Sequence, residues 1–169
     1  MVHKTQYGSS TLEIEIIEDW IDFNGHMNVA YYALLFDMAF NAFLETVDLG
    51  QAYVAREQKS IFALENHMTY QHELLLGDKV RIFLQLLDVD RKFIHYFMRM
   101  EKVGGDDLSA TMEQISLNVD VVKRSAARFP EEQYIALKDI QAHHSILDIP
   151  REVGRSIQIR RPTSLRPKS

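Results

Sequence analysis

The stretch between Asn28 and Gly50 constrains the fold more than any other part of the chain. Val29, Tyr32, Ala33, Phe36, Phe40, Phe43, Leu44 and Val47 recur there at helical spacing, and Leu34, Leu35, Met38, Ala39 and Ala42 fill most of the remaining circumference. Only Asp37, Asn41, Glu45 and Asp48 make a polar stripe. The spacing predicts a helix buried on most sides, because a helix apolar nearly all round must be covered by other elements. Asn28 is placed as its N-cap and Gly50 as its terminator.

What surrounds the helix reads as strand. In residues 11–18, Leu12, Ile14 and Ile16 alternate with Glu13 and Glu15, the pattern of a half-buried strand. After a linking segment, 51–58, four long strand-like runs follow. The first covers 59–75 and ends at Gly77-Asp78. The second carries Val80, Ile82, Leu84 and Leu86 in alternation and ends by 88–91. The third covers 92–103, and Gly104-Gly105-Asp106-Asp107 then marks a hairpin. The fourth, 108–122, places Ile115, Leu117, Val119 and Val121 on one face. Pro130 precedes a second helix over 131–144. The order strand, long apolar helix, four strands, helix predicts an α+β domain in which a curved antiparallel sheet wraps the helix, since each needs the other to bury its apolar face. One such domain spans 1–149, and 150–169, with five arginines and one lysine against one acid, reads as a loosely packed basic tail.

The turn that leads into the long helix is the chemically informative stretch: Trp20-Ile21-Asp22-Phe23-Asn24-Gly25-His26-Met27-Asn28-Val29-Ala30-Tyr31-Tyr32. Its Asp-x-x-Gly-His-x-Asn pattern, with tyrosine in the first helical turn, resembles acyl-CoA thioesterases of the 4-hydroxybenzoyl-CoA thioesterase type, which have the hotdog fold. Residues 70–80, His95-Tyr96-Phe97 and 108–114 are similar to one branch of that superfamily, the betainyl-CoA thioesterase-like proteins associated with carnitine degradation. The resemblance covers about residues 11–140 and is specific at Asp22 to Tyr32.

The resemblance implies hydrolysis of a small acyl-CoA to free acid and CoA without metal or redox cofactor, in a homodimer or homotetramer whose sheets pair edge to edge and whose site lies between subunits. Asp22 is then the catalytic carboxylate, as nucleophile or general base. The amide at the helix start, at Val29, polarises the carbonyl, as unpaired N–H groups and the helix dipole favour developing negative charge. Trp20, Asn24, Gly25, His26, Asn28 and Tyr31 become the substrate-binding surroundings. Several of these have simpler readings beside that one. Asn28 is a preferred cap, Gly25 allows a positive φ or a close approach, and His26 touches substrate or holds the loop. Trp20 stands where many relatives carry a second aspartate, so any role of that acid is missing here.

A betainyl group ends in a quaternary ammonium, which aromatic faces recognise. Trp20, Phe23, Tyr31 and Tyr32 cluster near Asp22 in sequence, and Tyr70, Tyr96 and Phe97 lie on strands that could face the same cleft.

Other classes are disfavoured. The net charge of −5 argues against a nucleic-acid partner. With no cysteine, thiolate metal sites and cysteine nucleophiles are excluded. His67 and His72 stand on opposite faces of a strand, and His143 and His144 diverge on a helix, so no metal site is expected. No apolar run is long enough to span a membrane, which points to the cytoplasm. Hotdog enoyl-CoA hydratases carry Asp-x-Asn-Pro-x-His. Here Gly25 replaces the proline and His26 arrives one residue early, so that alternative fits less well. A non-catalytic acyl-CoA-binding domain would have no need of Asp22.

Overall fold

The computed structural model describes residues 4–5, 7–105 and 107–159. Two strands open the chain, β1 (Lys4–Thr5) and β2 (Gly8–Glu15), followed by a 3-10 turn at Glu18–Trp20 and helix α1 (Val29–Thr46). Then come α2 (Gln51–Glu57), β3 (Lys59–Tyr70), β4 (Lys79–Val89), β5 (Phe93–Lys102), β6 (Leu108–Asp120), β7 (Ser125–Ala126) and α3 (Glu131–His144). Among the described residues the strands make one antiparallel sheet in the order β1-β2-β4-β5-β6-β3, with β7 returning on β6. The sheet curls around α1, which is the expected α+β hotdog arrangement. No helix among the described residues is long and apolar enough to cross a membrane.

Helix α1 starts where its cap predicts: the Asn28 side chain accepts the N–H of Ala30. Leu35, Phe36, Ala39, Phe40, Phe43 and Leu44 face the sheet, and the Phe40 ring stacks on Tyr96 of β5 with centroids 4.2 Å apart. Burial on most sides does not hold for the single chain, since Val29, Leu34 and Met38 on the far side are exposed.

Gly50 does not terminate α1. The helix stops at Thr46, Asp48 takes the left-handed conformation, and Gly50 caps the start of α2, a helix in what the sequence suggested was only a linker. The reason lies in Glu45, whose carboxylate accepts the N–H of Gln51 and occupies the space a Gly50 side chain would need.

Two further features follow from long-range hydrogen bonding. The predicted apolar row of β6 faces away from α1. The inward row runs Ala110, Met112, Gln114, Ser116 and Asn118, and its polar half is satisfied by tyrosines from other elements. Gln114 donates to the Tyr96 hydroxyl at 2.5 Å, and Asn118 accepts from the Tyr53 hydroxyl of α2 at 3.1 Å. The β2 register on β4 runs to Leu84, opposite Ser9, and β4 bulges between Leu86 and Asp88. Side chains of α3 take over there: His144 Nδ1 accepts the Leu86 N–H at 2.9 Å, and Gln141 donates to the Leu87 carbonyl at 3.2 Å.

The first strand begins and ends three residues earlier than expected, at Gly8 and Glu15. The Gly104-Gly105 hairpin joins β5 to β6 as predicted, although Asp106 lies outside the described residues. Beyond α3 the chain folds back over the outer face of the sheet. The Gly154 N–H donates to Glu113 at 2.7 Å, Glu113 also bonds His95 at 2.9 Å, and Glu152 is buried. Loose packing therefore does not describe this part of the tail. Residues 160–169 lie outside the described residues.

Candidate active site

The turn carrying Asp22 is a small hairpin closed by the bridge between Ile21 and Met27. The Asp22 N–H donates to the His26 carbonyl at 3.1 Å, and the Gly25 N–H donates to the Asp22 carbonyl at 2.9 Å. Gly25 sits at φ +82°, in the left-handed region that this turn requires and that glycine adopts without cost. One oxygen of the Asp22 carboxylate, Oδ1, accepts the Asn24 N–H at 2.8 Å, the local bond that suits aspartate to turns. That bond orients the group while leaving Oδ2 without a protein partner among the described residues.

Two further bonds fix the turn against the rest of the fold. The Met27 N–H donates to the Leu74 carbonyl at 2.7 Å, and the Asn28 N–H to the Trp20 carbonyl at 2.9 Å. Met27 itself is fully buried and anchors the loop in the core. At the start of α1, Asn28 satisfies Ala30 and leaves the Val29 N–H unpaired among the described residues. No acidic residue occupies the first turn, so the positive end of the helix dipole is not neutralised locally.

Asp22 and Val29 line one open pocket of about 290 Å³ together with His26, Met27, Asn28, Tyr32, Tyr70, Gln71, His72 and Glu73. Four of the eight residues singled out from the sequence thus come together: Asp22, His26, Asn28 and Val29. Trp20, Asn24, Gly25 and Tyr31 do not line the pocket. Asn24 and Gly25 shape the turn behind Asp22, while Trp20 and Tyr31 stack on each other with centroids 5.8 Å apart. His26 is held locally, its Nδ1 3.4 Å from the Met27 carbonyl.

The aromatic group expected around Asp22 is likewise dispersed. Phe23 is 97% exposed at the tip of the turn, Tyr96 is in the core against Phe40, and Phe97 is buried on the opposite face of β5. Only Tyr32 and Tyr70 reach the pocket, packed edge to face with centroids 5.2 Å apart. Burial raises the pKa of both phenols above the ordinary value, and for Tyr32 the neighbouring Tyr70 and Glu73 add to the effect.

Residues 71–73 escaped the sequence reading because 59–75 looked like a single strand. In fact β3 ends at Tyr70, and both the Gln71 and His72 N–H groups turn to the Ser109 carbonyl. His72 Nδ1 adds a 2.9 Å bond to the Leu108 carbonyl. The available signal was the loss of alternation at Gln71-His72-Glu73, three consecutive polar residues that no half-buried strand would carry.

A second cavity, about 360 Å³, lies between the ends of α1 and α3 and includes Ser9 and His144, 3.3 Å apart. This pair is not an activated nucleophile. His144 Nδ1 accepts the Leu86 N–H, so in the neutral ring Nε2 carries the hydrogen and cannot take one from Ser9.

Comparison with known proteins agrees with this fold. The chain is 31% identical over 148 residues to the betainyl-CoA thioesterase of Pseudomonas aeruginosa, covering 88% of this chain and 93% of the relative. It is 36% identical over 138 residues, 82% of its length, to an L-carnitine dehydrogenase/betainyl-CoA thioesterase of Rhizobium meliloti, and spans 28% of that longer protein. A Staphylococcus aureus protein solved in complex with CoA superposes with a TM-score of 0.84 at 27% identity, covering 89% of this chain and 96% of the other. A sequence profile of the Thioesterase-like superfamily matches residues 18–137, the greater part of the chain and all of the Asp22 turn, and the chain belongs to that superfamily.

Proposed function

We propose that the Asp22 pocket is where this chain hydrolyses an acyl-CoA thioester to free acid and CoA, in a cytoplasmic homo-oligomer. Thioester hydrolysis is the activity supported by the superfamily and by the names of the relatives. One observation carries the assignment to this pocket: Asp22, with a carboxylate oxygen that has no protein partner among the described residues, and Val29, with a helix-start N–H likewise unpaired among them, line the same space. The Val29 N–H receives the thioester carbonyl oxygen and stabilises the charge that develops on it. Asp22 acts on the carbonyl carbon, either by taking a proton from an attacking water or by direct attack and later hydrolysis of the anhydride. In both routes the C–S bond breaks, the sulfur leaves as thiolate and is protonated to CoA, and the acyl group departs as the acid.

Strand β3 supports an oligomer. It is an edge of the sheet among the described residues, twelve residues long, with Phe62 49% and Leu64 54% exposed. An apolar edge of that length is a template for pairing with a second copy. Sedimentation at micromolar concentration is expected to give a dimer or tetramer, and a fully active monomer would contradict this.

The hydrolase reading is tested by thiol release from a panel of acyl-CoAs: straight-chain, branched and aromatic. The relatives' names bring betainyl-CoA, and with it a role in carnitine metabolism, into the panel. CoA release from at least one panel member at enzymatic rate is expected. Tight acyl-CoA binding without turnover would instead favour a binding domain.

A further inference from the structure

We propose that His72 is a second catalytic residue of the Asp22 pocket, the base that takes a proton from water once Asp22 has accepted the acyl group. This rests on the hydrolase reading above and deepens it, by dividing the reaction between two side chains.

A base at this site needs a lone pair, a fixed position and a place in the lining. The Tyr32 and Tyr70 phenols keep their protons, since burial raises both pKa values. Glu73 lines the pocket, but it has no hydrogen bond or ion pair among the described residues to hold its carboxylate. His26 is tied only to the carbonyl of its neighbour Met27, at 3.4 Å, a separation at which a hydrogen bond orients a ring weakly.

His72 meets all three requirements. Its backbone N–H donates to the Ser109 carbonyl at 3.3 Å and its ring Nδ1 to the Leu108 carbonyl at 2.9 Å, so two bonds to the start of β6 hold both residue and ring. A carbonyl can only accept, which places the hydrogen of the neutral ring on Nδ1 and leaves Nε2 with its lone pair. Nε2 has no partner among the described residues. The anchoring Leu108 is not part of the lining, whereas His72 lines the pocket together with Asp22 and Val29.

The two side chains suit different steps. A carboxylate is a weaker base than an imidazole but an adequate nucleophile. Asp22 Oδ2 attacks the thioester carbonyl carbon while the Val29 N–H receives the carbonyl oxygen. The C–S bond breaks, CoA leaves as thiolate, and the acyl group stays on Asp22 as a mixed anhydride. Water then attacks the acyl carbon and His72 Nε2 takes its proton. The bond to Asp22 breaks, releasing the acid and restoring the carboxylate. The imidazolium passes its proton to the thiolate, directly or through solvent, so one thioester and one water give one acid and one thiol.

The test uses His72→Asn, whose amide can still donate to the Leu108 carbonyl but cannot act as a base, and His72→Gln as a second variant should the first fail to fold. Both are assayed with the acyl-CoA that the wild type cleaves fastest. Steady-state kcat is expected to fall by about 10² to 10⁴, the range for loss of a general base. KM should fall in parallel, leaving kcat/KM within about threefold of wild type, because only the step after CoA release is slowed. Rapid mixing should show a burst of one thiol per chain, with the acyl group recovered on Asp22 after acid quench. A kcat within a few-fold of wild type overturns the assignment of His72. Equal losses in kcat and kcat/KM without a burst also overturn it, since that is the outcome of a residue that merely shapes the pocket. In both cases wild-type cleavage leaves the hydrolase reading standing. A wild type that cleaves no acyl-CoA removes that reading, and the role of His72 with it.

Discussion

Replacing Asp22 by asparagine separates chemistry from architecture at the proposed site. The wild-type Oδ1 accepts the Asn24 N–H at 2.8 Å, and an asparagine carbonyl oxygen can accept the same bond from the same position. The turn is also closed by backbone bonds that the substitution does not touch. Folding stability is therefore expected to change by no more than about 0.5 kcal/mol, the usual scale for a surface position outside the core. Turnover should fall by about 10² to 10⁴, which corresponds to roughly 2.7 to 5.5 kcal/mol of barrier, because the amide is neither a base nor a nucleophile. Asp22→Ala supplies the contrast: it removes the acceptor as well and should cost about 0.5 to 1.5 kcal/mol of stability on top of the same loss of rate. The assay is thiol release at saturating acyl-CoA, with thermal unfolding measured on the same preparations. An Asp22→Asn protein with unchanged Tm and turnover within a few-fold of wild type would refute the reasoning.

Three other perturbations test the fold around the site. Tyr53→Phe leaves the buried Asn118 Oδ1 without its donor and should lower the unfolding free energy by about 1 to 3 kcal/mol, read from urea titrations. Gly25→Ala meets no neighbouring atom but must hold φ near +82°, so a cost of about 1 to 2 kcal/mol is expected, with a fall in kcat as the Asp22 turn distorts. Burial pushes the Asp78 carboxyl up, but the Leu75 N–H at 2.8 Å and the Lys102 ammonium at 2.7 Å outweigh it and hold the pKa below the ordinary value. A depressed folded pKa means that this stabilisation is complete above the unfolded value, about 4, and disappears as pH falls through the folded one. The stability gap between wild type and Asp78→Asn, roughly 1 to 2 kcal/mol at neutral pH, should therefore shrink in acid. A gap that is constant from pH 7 to pH 2 would show that the ion pair contributes nothing.

Local signals in the sequence determined a good part of this protein. Asn28 specified where α1 begins because a cap acts on its own next two residues, and Pro130 marked the start of α3 for a similarly local reason. Alternation marked β4 and the two faces of β6, and the Asp22-to-Tyr32 pattern located the turn whose carboxylate and helix-start amide line one pocket. What tertiary structure decided involves residues far apart in the chain. Alternation shows that β6 has two different faces but not which one turns inward. Gln114 and Asn118 could turn inward because Tyr96 and Tyr53, on other elements, satisfy them there. The same holds for the pocket wall. Tyr70, Gln71, His72 and Glu73 stand more than forty residues from Asp22 in sequence, and they meet it because Ser109 ends the pairing of β3 and the Leu74 carbonyl takes the Met27 N–H. Trp20 and Tyr31, so near Asp22 in sequence, are lost to the pocket because each offers its ring face to the other, and a face buried against a neighbouring ring is not available to a ligand.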